Sequence, residues 1–219
     1  MGSLQTLALL AGLGTADPSA AAEPVDLSGV DAVVVTGGGL SVAAATEAGR
    51  PLLATLERTE GCAATLRVEG RVLTVDVRER SSVWPRECRP ALSLNLRPGT
   101  DLALRPAAVE ATLDGRFGAV TVDVHAAELS VTGRARTLDL SARALHAAIR
   151  ATDPDPGQAI RIQANAADLD LGFRRGTPVS WDVDAKVSLV DSSIPASAAD
   201  RPLVTIKGDF VRARIGYED

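Results

Sequence analysis

From residue 92 onward, apolar and polar residues alternate at a period of two. Short pairs of the form L-x-L recur at Leu102–Leu104, Val120–Val122, Leu138–Leu140, Ile160–Ile162 and Val179–Trp181, with starts spaced 18, 18, 22 and 19 residues apart. A second apolar piece follows each pair: Val109 to Leu113, Leu129–Val131, Leu145 to Ile149, Leu169–Leu171 and Val187–Leu189. Alanines introduce these second pieces, as at Ala107-Ala108, Ala126-Ala127, Ala144, Ala166-Ala167 and Ala185. The longest unit owes its length to Asp153-Pro154-Asp155-Pro156-Gly157, which reads as a corner insertion. Period-two patterning predicts strands rather than helices, and a recurrence near 20 residues is the mark of stacked units. One such unit cannot bury both its strands alone. Stacked at the spacing of paired strands, about 4.8 Å, the inward Leu, Val and Ile form continuous columns. Asp123, Ser130, Asp139, Arg161, Gln163 and Asp170 are then expected to face water.

The N-terminal part carries the same chemistry less regularly. Val33-Val34-Val35 and Leu40-Ser41-Val42 flank Gly37-Gly38-Gly39, a hairpin or a tight rung corner. Thr65 to Val68 and Val72 to Val77 flank Glu69-Gly70-Arg71. Arg80 to Pro90, with two prolines and Trp84, reads as an irregular connection. Leu203 to Ile206 and Phe210 to Ile215 form the last strand, where Arg212 and Arg214 alternate with Val211, Ala213 and Ile215. A charged strand in that place is expected to blunt the open end of the stack. The expected class is all-β, a β-solenoid of the single-stranded β-helix type with rungs of about 18–22 residues. Its divisions are residues 1–22 as a signal peptide, 23–90 as an N-terminal β part of first rungs or hairpins, and 91–219 as solenoid repeats with a capping strand.

Composition narrows the function classes. The 219 residues are 46% hydrophobic but only 3% aromatic, so the core must be aliphatic, which suits many thin layers. A net charge of −5 without any basic cluster argues against nucleic-acid binding. No apolar run reaches the roughly 20 residues that a transmembrane helix needs. The N-terminal stretch Leu7 to Leu13, followed by Ala16-Asp17-Pro18 and small residues, has the layout of a secretory signal cleaved near Ala22. No Lys or Arg precedes its apolar core, so an ordinary N-terminal strand or short helix is the other reading. Cys62 and Cys88 belong to no CxxC and have no nearby His, which disfavours zinc. In an exported chain they form a disulfide worth about 3 kcal/mol in the chain-entropy model; otherwise they are two small core residues.

In this layout the chain resembles the bacterial family known as the putative auto-transporter adhesin head GIN domain. The resemblance is carried by VDLSGVDAVVVTGGGLSVAAA at the opening, the RVLTVDVRER strand, the aliphatic rungs and the closing IKGDFVRARI, over residues 25–217. The repeats are rich in Ala and Arg where the family's are often rich in Gly, Ser and Asn. The resemblance implies export and a β-solenoid fold, and leaves the partner unassigned. The candidate partners are an envelope protein or a polysaccharide, and neither a cofactor nor a transmembrane span is expected.

Residues with catalytic or ligand chemistry are sparse. His125 and His146 fall between first and second strands of consecutive units, with no third ligand placed by spacing, and are read as structural or solvent-facing. Asp168 with Asp170, Asp182 with Asp184 and Asp153 with Asp155 share i, i+2 spacing, which on a strand puts both carboxylates on one face. That geometry suits Ca²⁺ or a carbohydrate-active β-helix enzyme, but no calcium-loop or nonapeptide repeat accompanies it, so a solvated face is preferred. Arg174-Arg175 could meet an acidic sugar or phosphate and is read as a rung corner. Asp168, Asp170, Arg174 and Arg175 are the candidate surface for binding; no catalytic, cofactor or metal residue is assigned. The reading is a non-catalytic exported protein acting in adhesion, envelope scaffolding or ligand binding. The alternatives are a β-helix carbohydrate-active enzyme or a bactofilin-like cytoplasmic polymer, the latter excluded by a cleaved N-terminus.

Overall fold

The structure is a computed structural model that describes residues 23–80, 88–152, 157–195 and 203–218. The signal-peptide expectation, Trp84 with most of the Arg80–Pro90 connection, and Asp153 with Asp155 lie outside the described residues. Those residues are all-β, with no helix among them, and form one mixed sheet. Its strands are β1 (Val25–Asp26), β2 (Ala32–Ala45), β3 (Leu53–Glu57), β4 (Cys62–Glu69), β5 (Val72–Glu79), β6 (Ala91–Asn95), β7 (Asp101–Ala151), β8 (Ala159–Arg174), β9 (Trp181–Ser192) and β10 (Val204–Glu218).

In β2, β8, β9 and β10 the ladder is interrupted at one position, which divides each strand into two arms. In β2 the bend is at the glycine triplet, and both arms pair in parallel with the same stretch of β7, from Ala32 beside Asp101 to Ala45 beside Asp114. The triplet is therefore not a hairpin turn, since β2 keeps the same parallel partner on both sides of it. Gly37 has φ 116°, and a Cβ there would overlap the Val77 carbonyl oxygen, so only glycine lets β2 and β5 close to sheet distance at this corner. The far end of β7 pairs with β8, Thr137 beside Ala159 through Ala151 beside Phe173, and β8 pairs with β10 in the same parallel fashion. Within β7 itself, the Gly118 N–H donates to the Thr100 carbonyl and the Thr152 N–H to the Gly133 carbonyl. Both bonds join residues about one repeat apart.

The inward columns follow from this register. On the first arm Val33 lies beside Leu102, and Leu138 and Val204 flank Ile160; on the second Val42 lies beside Ala111, and Ala147 and Ala213 flank Leu169, with Val120 and Leu129 of β7 buried as well. All are buried, so neighbouring strands continue one another's aliphatic layer. Phe173 is among the largest wholly buried side chains. Asp123, Ser130, Arg161 and Gln163 are exposed, as alternation requires, while Asp139 and Asp170 are half-buried.

At both ends the order of strands departs from the order of the chain. β2 does not begin the stack: β5 lies outside its first arm and β6 outside its second, both parallel to it. These are covered in turn by antiparallel strands, β4 on β5 and β3 on β6, with β1 antiparallel to β3. β10 does not close the stack either, contrary to the expectation that a charged last strand would blunt its end. It lies between β8 and β9, and β9 is the terminal strand. The order follows charge: Arg212 and Arg214 of β10 lie in register with Asp168 and Asp170 of β8, and Lys207 with Asp184 of β9. β9 also corrects the expected pairing of Val187 with Leu189 as inward residues. The inward positions beside Val211 and Ala213 are Ser188 and Val190, so Val187 and Leu189 point outward, 58% and 66% exposed.

Candidate functional site

The corner between the two arms builds two surfaces. One residue per rung stands on its outer side just past the bend. Gly39 lies beside Ala108, Ala144 beside Ala166, Ala166 beside Phe210, and Phe210 beside Val187. With Ala126 they line a trough of about 990 Å³ running across the rungs. Its floor is shallow because alanine and glycine carry no side chain to fill it. At its C-terminal end Phe210, 63% exposed, and Val187 stand up from that floor. Glu110, Glu128, His146 and Asp168 stand along the trough on the second arm.

On the other side of the corner a smaller groove of about 570 Å³ is polar, lined by His125, Arg143, Asn165, Lys186, Lys207 and Asp209 among others. Asp209 accepts hydrogen bonds from Asn165 at 3.0 Å and lies 2.7 Å from the Lys186 ammonium. The Lys186 hydrogen bond, then that of Asn165, hold its carboxyl below the usual carboxylate range. His125 and His146 thus line different grooves on opposite sides of the bend. His146 Nδ1 lies 3.7 Å from the Asp168 carboxylate.

The residues singled out from the sequence are placed as follows. Asp168 and Asp170 do share one face of β8, but each has a basic neighbour: Arg212 beside Asp168, and Arg214 beside Asp170. Arg150 also bonds the Asp170 carboxylate at 2.7 Å and forms an ion pair with Glu218. Asp170 is thus tied to β7 through Arg150, and Asp168 lies near His146. Arg174 ends β8 beside Glu218, and Arg175 follows in the turn; both are exposed, away from the trough. Asp182 and Asp184 lie on the outer face of β9. Among the described residues no group of three or more His, Cys, Asp or Glu side chains could hold a metal ion. No helix among them is long and apolar enough to cross a membrane, which says nothing of strands. Cys62 and Cys88 form a disulfide, Cα–Cα 5.0 Å, joining the start of β4 to the approach to β6. At the same end Asp31 accepts hydrogen bonds from Arg71 and Arg97, and chiefly the Arg71 contact lowers its pKa.

The trough itself was not foreseen. Its signal was present in the alanine doublets: Ala126 and Ala166 are exposed while Ala127 and Ala167, one residue later, are buried. The first of each pair forms the floor and the second the core.

Among solved structures, the chain is similar to a putative cell adhesion protein from Clostridium sporogenes, at 11% identity over 88% of this chain and 93% of that one, with a TM-score of 0.39. It is similar to a putative adhesin from Bacteroides fragilis, at 9% identity over 88% and 94%, TM-score 0.41, and to one from Parabacteroides distasonis, at 10% over 89% and 95%, TM-score 0.38. No family model matches the chain, and no curated protein does.

Proposed function

We propose that this is an exported, non-catalytic binding protein of the bacterial cell envelope, acting in adhesion or scaffolding, and a divergent member of the GIN domain family. The observation that carries the binding reading is the apolar trough: an unfilled Gly/Ala floor crossing successive rungs, flanked by polar side chains and ending at exposed Phe210. Surface apolar troughs of this size on a soluble domain mark interaction sites more often than accidents of packing. The trough's run across several strands and its floor of glycine and alanine suit an extended apolar segment of an envelope protein. The parallel register on both arms, together with backbone bonds one repeat apart inside β7, supports winding of the rungs as a β-solenoid. The disulfide supports export, since such bonds persist in oxidising compartments.

The test begins with expression in a host with an export pathway. Intact mass, with and without reduction before alkylation, should show a species starting near Glu23 that takes up alkyl groups only after reduction. The purified protein should then be retained saturably on intact envelopes, and Ala126→Arg/Ala144→Arg, which fills the trough, should abolish retention. An uncleaved chain with two free thiols would sink export. Retention that is absent, or indifferent to the double substitution, would sink binding through the trough.

A further inference from the structure

β9 ends the sheet and bonds on one side only, to β10; among the described residues no strand occupies its outer edge. It is a twelve-residue parallel strand that covers both arms, with its outward side chains at Asp182, Asp184, Lys186, Val187, Leu189 and Asp191. A run of unpaired backbone N–H and C=O groups of that length is a template for another strand.

What that strand must carry can be read from the columns that precede it. In three of the outward columns from β8 to β10 to β9 the residues are complementary, two with charges of alternating sign or a polar partner and one apolar throughout. Asp170, Arg214 and Asp191 form one column, Asn165, Asp209 and Lys186 another, and Ala166, Phe210 and Val187 a third. Arg214 lies 4.0 Å from Asp191 and Lys186 lies 2.7 Å from Asp209, so the alternation is made of contacts. Beyond β9, Asp182, Asp184 and Asp191 call for basic neighbours, and Val187 and Leu189 for apolar ones. Opposite charges and paired apolar groups directly across strands are favourable, and like charges are not.

We propose that the outer edge of β9 docks an extended peptide segment as one more parallel, in-register rung. That segment carries basic residues opposite Asp182, Asp184 and Asp191 and apolar residues opposite Val187 and Leu189. The inference rests on the reading of this chain as a binding protein but not on the trough. A second copy of the chain is the poorer occupant. An antiparallel pairing of two β9 strands that keeps inward columns inward puts Val183 beside Val190 and Ala185 beside Ser188. It therefore sets Asp182 beside Asp191 of the other copy, at both ends of the interface. A head-to-tail filament fares no better, because the opposite edge is divided between β4 and the two-residue β1.

The sequence of β10 already satisfies most of these columns from the inner side, so a labelled peptide of residues 203–217 is the probe. Its control has glutamate at the positions of Lys207, Arg212 and Arg214. Fluorescence anisotropy at low ionic strength should show saturable binding of the first peptide to the full chain and none of the second. Asp184→Lys/Asp191→Lys, both exposed and in the register of Lys207 and Arg214, should weaken the first peptide about tenfold, the scale of two cross-strand charge pairs turned from attraction to repulsion, and admit the second. Amide exchange on the complex should show new protection in β9 with β10 unchanged. Four outcomes would overturn the proposal: no saturable binding, binding indifferent to the charge reversal, loss of protection in β10 (the peptide having displaced it), or a concentration-dependent dimer of the free protein that masks the β9 amides. Ala126→Arg/Ala144→Arg should leave peptide binding intact, so failure of the trough reading and failure of this one are separable.

Discussion

At the N-terminal end the outermost rung, β5 with β6, is covered by strands that run against it, β4 on the first arm and β3 on the second, and the Cys62–Cys88 disulfide ties β4 to the approach to β6. At the C-terminal end the outermost rung is β9, a single parallel strand with no cover among the described residues and with Val187 and Leu189 turned to solvent. The rungs between are alike, so the contrast isolates what an end does. A covered end breaks the edge into short strands of differing direction, Pro24 and Pro51 flank β1 and β3, and charges stand along β4 at Arg67 and Glu69. These are ways natural sheets discourage strand addition. The other end has charges as well, but they are arranged as a pattern that a partner strand can match. Asymmetry of this kind favours one added rung at one end over growth at both, and speaks against end-to-end polymers of the bactofilin type.

The comparison is broken most directly by removing the staple. Reducing the disulfide, or replacing it by Cys62→Ala/Cys88→Ala, should cost about 3 kcal/mol in the chain-entropy account for a sequence separation of 26. Urea unfolding with and without reductant measures it. The loss should appear at the N-terminal end first, as faster amide exchange in β4 and β6 with β9 unaffected. Equal midpoints in the two conditions would mean that the antiparallel cover holds this end without the bond.

A smaller effect compares one residue type in one column at the two ends. Val75 lies beside Val35 on the covered side and is 0% exposed, while Val183 lies beside Ile206 on the bare side and is only partly buried. Val75→Ala should destabilise by about 2 kcal/mol, from lost methyl burial plus the cavity left in a layer closed on both faces. Val183→Ala should cost less than about 1 kcal/mol, because its layer has no outer neighbour to leave behind a cavity. Parity between the two in a denaturation series would show that the bare end is as tightly closed as the covered one. With the β9 edge peptide bound, the cost of Val183→Ala should rise toward that of Val75→Ala, which joins this prediction to the docking proposal.

The all-β character was legible from the sequence because aliphatic residues at period two predict half-buried strands. Leu102, Val120, Leu138 and Ile160 are all buried, as that alternation demands. The ends were not legible, since Leu203 to Ile215 alternates like any other rung and alternation carries no rank in the stack. What ranks β10 is its charges, Arg212 and Arg214 against Asp168 and Asp170, and that match is visible only once the register is known. Parity at a corner was equally hidden. Two successive outward residues, Lys186 and Val187, shift the alternation by one, and so Val187 and Leu189 changed sides. The disulfide could be read from two cysteines, given export, whereas the trough required knowing which alanine of each doublet lies past the bend.

The smallest expected effect lies in acid, and it compares a carboxylate at each end. Asp31 at the covered end is held below the usual range chiefly by the Arg71 hydrogen bond, and Asp209 near the bare end chiefly by Lys186. A folded-state pKa lower than the unfolded one contributes stability at pH values above the unfolded value, and that contribution is lost as pH falls through the folded one. With an ordinary value of 3.8, both contributions are complete in neutral solution and decline only below about pH 4. Asp31 is exposed and Asp209 about a third exposed, so the losses are modest and shrink further in salt. Thermal melts from pH 7 down to pH 2 should show an acid limb that Asp31→Asn and Asp209→Asn each flatten, with no change above pH 5 beyond a constant offset. The two should differ in locality: Asp209→Asn should loosen β9 in amide exchange because Lys186 loses its anchor, while Asp31→Asn should leave β9 as it was. Loosening of β9 by Asp31→Asn would mean that the ends communicate through the rungs, and the division between a closed end and an open one would no longer hold.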